Sequence, residues 1–404
     1  MTDQKPEHNS IKERAKKKLE RDMGPELLAA LNDPKTVEIM LNADGKLWLE
    51  RLGEPMKCIG TLRVAQAQAI IETIAGYHGK EVTRSKPILE GELPLDGSRF
   101  AGQLPPVVPA PTFAIRKKAV AIFTLDQYVE RGIMTAPQRE ALIAAVRAHR
   151  NILVIGGTGS GKTTLVNAII NEMVIQDPTE RVFIIEDTGE IQCAAENYVQ
   201  YHTSIEVSMT MLLKTTLRMR PDRILVGEVR DAETAEMAFR AAMTGHQVFS
   251  TLHTNSALRS FQRIKDLGVS PEVMAGNIIG IVAQRLVRRV CVHCREEVQV
   301  TEGSIEARLI GAHAVGRTVY RAHHGGCEAC GFQGYKGRLA IMELLRMDSM
   351  LDELITRNAT LGELTAHAMA HGFAPMAEDG LRRVLEGITT VEEVGRVVDL
   401  TTKL

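Results

Sequence analysis

No feature of these 404 residues constrains the fold more than the run Gly156-Gly157-Thr158-Gly159-Ser160-Gly161-Lys162-Thr163-Thr164. The apolar stretch Ile152 to Ile155 precedes it and a helix-forming segment through Val174 follows, so the glycine loop joins a strand to a helix. Within it, Gly156-x-x-x-x-Gly161-Lys162-Thr163 lets successive backbone N–H groups wrap a phosphate chain. Lys162 then reaches the β and γ phosphates, Thr163 offers its hydroxyl to Mg²⁺, and the positive end of the helix faces the same anion. Residues 156 to 164 are therefore expected to bind Mg-ATP. A chance match in a glycine-rich loop is the competing explanation, and the strand–loop–helix order weighs against it.

Further apolar strands at Val182 to Ile185, Ile224 to Val226 and Val248 to Leu252 alternate with helical stretches, the pattern of an α/β domain with a mostly parallel sheet. Ligands of such sheets sit at the carboxyl ends of the strands. Upstream, Val37 to Leu49 reads as two short strands around Asn42-Ala43-Asp44-Gly45. Ile70, Ile71 and Ile74 have helical spacing, and residues 87–116 are Pro- and Gly-rich with short extended pieces. The divisions expected are a basic segment over 1–24, a smaller α+β domain over 25–118 and a linker over 119–134. The P-loop core follows over 135–290, a cysteine-rich element over 291–338 and a helical part over 339–404. Thr135-Ala136-Pro137-Gln138 supplies an N-cap, an early Pro and a capping-box Gln for the first helix of the core.

Composition removes several classes. With 44% hydrophobic and 25% charged residues the chain builds real cores and is not disordered. A net charge of -1 gives no chain-wide attraction for nucleic acid. The basic run Ile11 to Asp22 is the one local patch; it reads as a solvated helix face or as a contact for anionic lipid or a partner. No stretch approaches the roughly 18–20 apolar residues of a membrane span, and a cytoplasmic location is expected.

Two acidic clusters end strands: Glu186-Asp187-Thr188-Gly189-Glu190 and Gly227-Glu228-Val229-Arg230-Asp231. Phosphoryl transfer to water needs a group to hold Mg²⁺ and a carboxylate to orient the water, so Glu228 and Glu190 are the candidate catalytic acids, with Glu186 and Asp187 beside the nucleotide. Acids at strand ends are also common solvated residues. His253, beyond the strand ending at Leu252, is placed to sense the γ phosphate, although a lone histidine is usually structural. Cys291, Cys294, Cys327 and Cys330 form two Cys-x-x-Cys pairs able to enclose zinc in a tetrahedral thiolate shell, a structural site. His293, His313, His323 and His324 lie nearby and read as surface residues; Cys58 and Cys193 read as ordinary thiols.

The phosphate loop, EDTGEI, RILVGEVRD and TGHQVFSTLHTN in this order resemble the secretion and pilus ATPase superfamily. GELPLDGSRF, LPPVVPAPTFAIRKKA, EDTGEIQCAAENYVQ and LKTTLRMRPDRILVGE are similar to conjugative-transfer ATPases of the TrbB type. From about Asp231, RDAETAEMAFRAAMTGH, VAQRLVRRVC, GYKGRLAIMELL and EDGLRRVLEGITTVEEV are similar instead to the GspE and PilB types, to which the tetracysteine element belongs. The resemblance implies a RecA-like core, a Walker B equivalent at Gly227-Glu228, an Asp box at 186–190 and a His box at 245–254. It also implies a homohexameric ring in which arginines approach nucleotide at the subunit boundary; Arg99 and Arg116 match those motif regions, and Arg218, Arg220 and Arg230 are further candidates. Salt bridging is the competing role for each.

The expected function is a ring ATPase at the cytoplasmic base of a secretion, conjugation or pilus machine, with inner-membrane platform proteins as partners and peripheral membrane association through them. A DNA-translocating ring is the alternative, poorly supported by near-neutral charge and 4% aromatics. A regulatory ATP binder without turnover is the third class.

Overall fold

A computed structural model of the chain describes residues 5–51, 54–118, 123–204 and 206–400, with side chains from residue 11 onward. The chain forms two compact units: one comprises residues 1–120 with Thr188–Glu190, the other 121–187 with 191–404.

The first unit is α+β. Helix α1 (Lys5–Asn32) is broken at Gly24, whose φ of 72° is open to glycine, directly before Pro25. Strands β1 (Thr36–Leu41), β2 (Lys46–Arg51) and β3 (Lys57–Thr61) lead to helix α2 (Val64–Tyr77), then β4 (Ile88–Glu92), β5 (Arg99–Gln103) and β6 (Thr112–Arg116). The sheet order is β3-β2-β1-β6-β5-β4, with neighbours antiparallel. Alternation along the strands turns Ile39, Leu47, Phe100 and Ile115 inward onto Leu19, Leu27, Ile70 and Ile74 of the two helices, all essentially water-free. The turn at residues 42–45 is the one expected from sequence, Gly45 taking φ 79°.

The second unit opens with helix α3 (Leu125–Glu130), inside the segment expected to be a connector. Thr124 accepts from the Gln127 N–H, and Gln127 returns a bond to the Thr124 N–H. That capping box nucleates one and a half turns, and Leu125 and Tyr128 tether the segment to the core. The expected capping box of α4 (Ala136–Arg147) is formed by Thr135 and Gln138. Then follow β7 (Ile152–Ile155), α5 (Lys162–Gln176), β8 (Val182–Glu186), β9 (Tyr198–His202), α6 (Met209–Thr216), β10 (Arg223–Val226), α7 (Ala232–Met243), β11 (Gln247–Leu252), α8 (Arg259–Asp266) and α9 (Pro271–Met274). Strand β12 (Gly280–Val290) begins a long excursion through β13 (Glu296–Gln299), α10 (Ile305–Ile310) and β14 (Thr318–Arg321). The chain returns in β15 (Tyr335–Arg346) and ends in α11 (Ser349–Thr356), α12 (Leu361–Ala370), α13 (Met376–Leu385) and α14 (Val391–Val397).

The sheet order is β15-β12-β7-β11-β10-β8-β9, parallel except for β15, which lies antiparallel to β12. Strands β7, β8, β10 and β11 are buried on both faces, one covered by a cluster around Leu165, Ile169 and Ile184, the other by Ile224, Val248, Phe261 and Ile341, and all but β11, with its buried Gln247, Ser250 and Thr251, are mainly apolar. The cysteine element is thus the far end of the β12–β15 hairpin, with its own small cluster of Val300, Ile310, Ala314 and Val319 shared with α13 and α14. Among the described residues, no helix is long and apolar enough to cross a membrane.

Candidate active site

The phosphate loop spans the carboxyl end of β7 and the amino end of α5, in the middle of the sheet. Gly161 caps α5 with φ 83°, and Gly159 has φ 69°. Side chains are excluded for a second reason: a Cβ at Gly156 would lie 2.5 Å from the Gln284 carbonyl oxygen, and one at Gly161 would lie 2.6 Å from Gln284 Nε2. Lys162 Nζ donates to the Gly156 and Gly157 carbonyls at 2.7 and 2.9 Å, which holds its charge against the loop. Ser160 is buried and its Oγ has no hydrogen-bond partner, an unmet polar atom inside the cradle of the kind a phosphate or its cation satisfies. The donors and shape of the cradle therefore fit a magnesium–nucleoside triphosphate, which residues 156–164 would hold.

Two strands over, β10 runs out through Gly227 into Glu228. Gly227 is packed so closely that a Cβ would meet the Glu186 side chain at 2.9 Å, and its N–H donates to the Ile185 carbonyl at 2.7 Å. The Thr251 hydroxyl donates to the Gly227 carbonyl at 2.6 Å, and the Val229 N–H to the Thr251 carbonyl at 3.0 Å. Glu228 is thereby fixed on a rigid strand end, half-buried. One of its oxygens lies 3.1 Å from His253 Nε2, and the other accepts from Arg230 at 2.7 Å. Arg230 also pairs with Asp187, which accepts from the Thr203 hydroxyl at 2.9 Å. Burial pushes the His253 imidazole below the ordinary histidine range, and the nearby Lys162 charge adds to this against the pull of Glu228. The neutral ring donates Nε2–H to the carboxylate.

The sequence-predicted residues thus divide. Lys162, Glu228, His253, Asp187 and Arg230 form one charged constellation at the strand ends of the second unit. Glu186, the last residue of β8, is buried, and its carboxylate receives the Ile191 N–H at 3.1 Å and the Gln200 side-chain amide. Glu190 belongs to the short segment grouped with the first unit, where Arg99 stands 3.7 Å from it. Arg99 and Arg116 face each other across β5 and β6, and Arg116 bonds Glu38 at 3.4 Å. Two residues of β12 were not anticipated as supports of the site. Gln284, fully buried, donates to the Ser160 carbonyl at 2.8 Å, and Arg285 pairs with Asn255, two residues beyond His253, while its guanidinium abuts Gly157. The signal was in VAQRLVRRVC, an apolar strand interrupted by a polar pair.

The four cysteines converge. Cys291 and Cys327 sulfurs are 3.9 Å apart, Cys294 and Cys330 3.9 Å, and Cys327 and Cys330 3.8 Å. A tetrahedron with zinc–sulfur bonds of about 2.3 Å has edges of about 3.8 Å. The N–H groups of Cys327 and Gly334 donate to Cys330 Sγ at 3.1 and 3.2 Å. Although burial opposes it, these bonds draw the Cys330 thiol down to about 6, while burial and its sulfur neighbours push Cys294 up to about 12. Four sulfurs at these separations fit a dication at their centre.

Strand, glycine loop, helix, a strand-end glutamate and a parallel sheet define a P-loop nucleoside triphosphatase. The family model described as type II/IV secretion system protein matches residues 26–396, and the chain belongs to that family as one of its ATPases. The chain is 47% identical over 252 residues to the conjugal transfer protein TrbB of Rhizobium radiobacter, covering 62% of this chain and 78% of that one. It is 33% identical over 361 residues to the type II secretion system protein HxcR of Pseudomonas aeruginosa, covering 85% and 72%. The ATPase DotB of Legionella pneumophila shares the fold, with a TM-score of 0.63 at 20% identity over 92% of this chain and 94% of that one.

Proposed function

We propose that the chain is the protomer of a homohexameric ring motor that hydrolyses ATP at the cytoplasmic base of a secretion, conjugation or pilus machine and passes the resulting movement to inner-membrane platform proteins. The observation that carries this reading is the constellation at the strand ends: Lys162 on the phosphate loop, Glu228 on a rigid strand end, and His253 Nε2 3.1 Å from that carboxylate. Glu228 orients the attacking water and accepts its proton as the oxygen bonds to the γ phosphorus and the bridging bond to the β phosphate breaks, with ADP leaving. Lys162 leaves the loop carbonyls for the phosphate oxygens, and His253, released or held by Glu228, registers whether the γ phosphate is present. Thr163, with Asp187 and Glu186 nearby, would hold Mg²⁺, which supplies charge neutralisation at the phosphates. Arg99 and Arg116, with Arg218 and Arg220 as further candidates, are assigned to the subunit boundary of the ring, by resemblance to related ring ATPases.

Glu228→Gln is expected to leave binding of a fluorescent ATP analogue intact and to lower turnover by about 10²–10³-fold. Turnover at the wild-type rate would remove Glu228 from this role and leave Glu190 as the candidate. Stimulation of turnover by a membrane-platform protein accords with the reading; salt-sensitive stimulation by DNA instead would favour a DNA-translocating ring. The four cysteines are proposed to hold one structural zinc ion, which closes the far end of the β12–β15 hairpin and takes no part in hydrolysis.

A further inference from the structure

Within the helical part of the second unit, Asp348, His367 and His371 offer one ligand atom each, and the three atoms lie within 4.8 Å of one another. We propose that these residues form a second divalent-metal site, separate from the four cysteines and suited to a first-row ion such as zinc, cobalt or nickel. Two imidazoles and one carboxylate are the donor set of such ions, whereas magnesium and calcium prefer oxygen alone.

The local sequence assembles the site from two helices. His367 and His371 are four residues apart on α12 and so share one face, their rings stacked with centroids 4.1 Å apart. Asp348 is the N-cap of α11; its Oδ1 accepts the Leu351 N–H at 2.8 Å. His367 Nε2 stands 2.9 and 3.1 Å from the two Asp348 oxygens. Ligands of a tetrahedral ion with bonds of about 2.0–2.1 Å are about 3.3 Å apart, so a small side-chain rotation admits the metal. The orientation of His371 carries the argument furthest. Its Nδ1–H donates to the His367 carbonyl at 2.8 Å, which fixes the tautomer and turns the lone pair to Nε2. That is the hydrogen bond by which metal-ligating histidines are held. His371 and the partly exposed Asp348 leave open positions for water, so the site is a surface staple between the start of α11 and the end of α12.

The test uses the full chain with its tetracysteine element loaded with zinc, titrated with Co²⁺ and followed by calorimetry and absorption. Binding of one Co²⁺ per chain, with visible d–d bands and no thiolate charge-transfer band, is expected. Both His371→Gln and Asp348→Asn should weaken it by more than the roughly tenfold typical of losing an outer-shell partner. Asparagine keeps the helix cap, so loss of affinity there reports the carboxylate and not an unfolded helix. No cobalt uptake, uptake with a thiolate band, or affinity unchanged in both variants would overturn the proposal.

Discussion

At the scale of single residues the site is governed by close approach. Gly156 and Gly161 are required less by their own turns than by Gln284, whose backbone and amide occupy the space a Cβ would need. Gly156→Ala must move a carbonyl of the central sheet; it is expected to cost about 1–3 kcal/mol and to weaken ATP-analogue binding, measured by thermal unfolding with and without nucleotide. Gln284→Ala leaves the carbonyl against Gly156 in place, frees space only at Gly161 and removes the bond to Ser160, so the loop loosens and affinity falls while the fold persists. The glycine spacing was readable in the sequence because the phosphate dictates it. Gln284 was not, since nothing local to residue 284 says that strand β12 lies beside β7. Glu186 is a strand-end acid whose burial the sequence did not show: its carboxylate accepts from Ile191 and Gln200 in the neighbouring loop and strand.

At the scale of elements, the β12–β15 hairpin joins three features. Its middle supports the phosphate loop, its far end carries the cysteines, and its root packs on the helical tail. Removing the metal with a chelator, or changing Cys291→Ser, is expected to melt the far end while nucleotide binding survives. Elemental analysis should find about one zinc per chain at the cysteines and none retained there in the variant. The tail is fastened to the hairpin by Glu393, fully buried, which accepts from the Arg288 backbone and guanidinium at 2.6–2.9 Å and from Arg396 at 2.7–3.0 Å. Burial alone would raise the Glu393 carboxyl; the bonds from Arg396 and Arg288 outweigh it and hold it below the usual range. A depressed carboxylate stabilises the fold above its unfolded pKa, and that contribution disappears as pH falls through the folded value. Glu393→Gln should therefore cost about 2 kcal/mol at pH 7, and the difference from wild type should narrow as pH drops below about 4.5.

At the scale of the whole molecule, each unit has its own core, and the proposed ring would give them a shared task. If hydrolysis requires arginines donated at a subunit boundary, Arg99→Ala or Arg116→Ala should bind ATP normally yet turn over about 10³-fold more slowly. Mixing an arginine variant with Glu228→Gln protein would then restore activity at sites built from one good copy of each. Light scattering in the presence of an ATP analogue should report six copies; a monomer that turns over at full rate would remove the ring from the account.

The sequence alone determined what depends on neighbours along the chain: the strand–loop–helix order of the phosphate loop, the acid at the end of β10, the capping box of α4 and the paired cysteines. Each rests on spacing of a few residues, and local spacing survives into the fold unchanged. Tertiary structure decided what depends on residues remote in sequence. It placed β12 and β15 on the end of the sheet, so that Gln284 and Arg285 reach a loop more than a hundred residues earlier. It buried the Glu186 carboxylate beside Ile191 and Gln200 and closed 32 intervening residues into a hairpin tip that brings four sulfurs together. Packing of apolar faces makes those choices, and it compares the whole set of surfaces at once, which no short window of sequence contains.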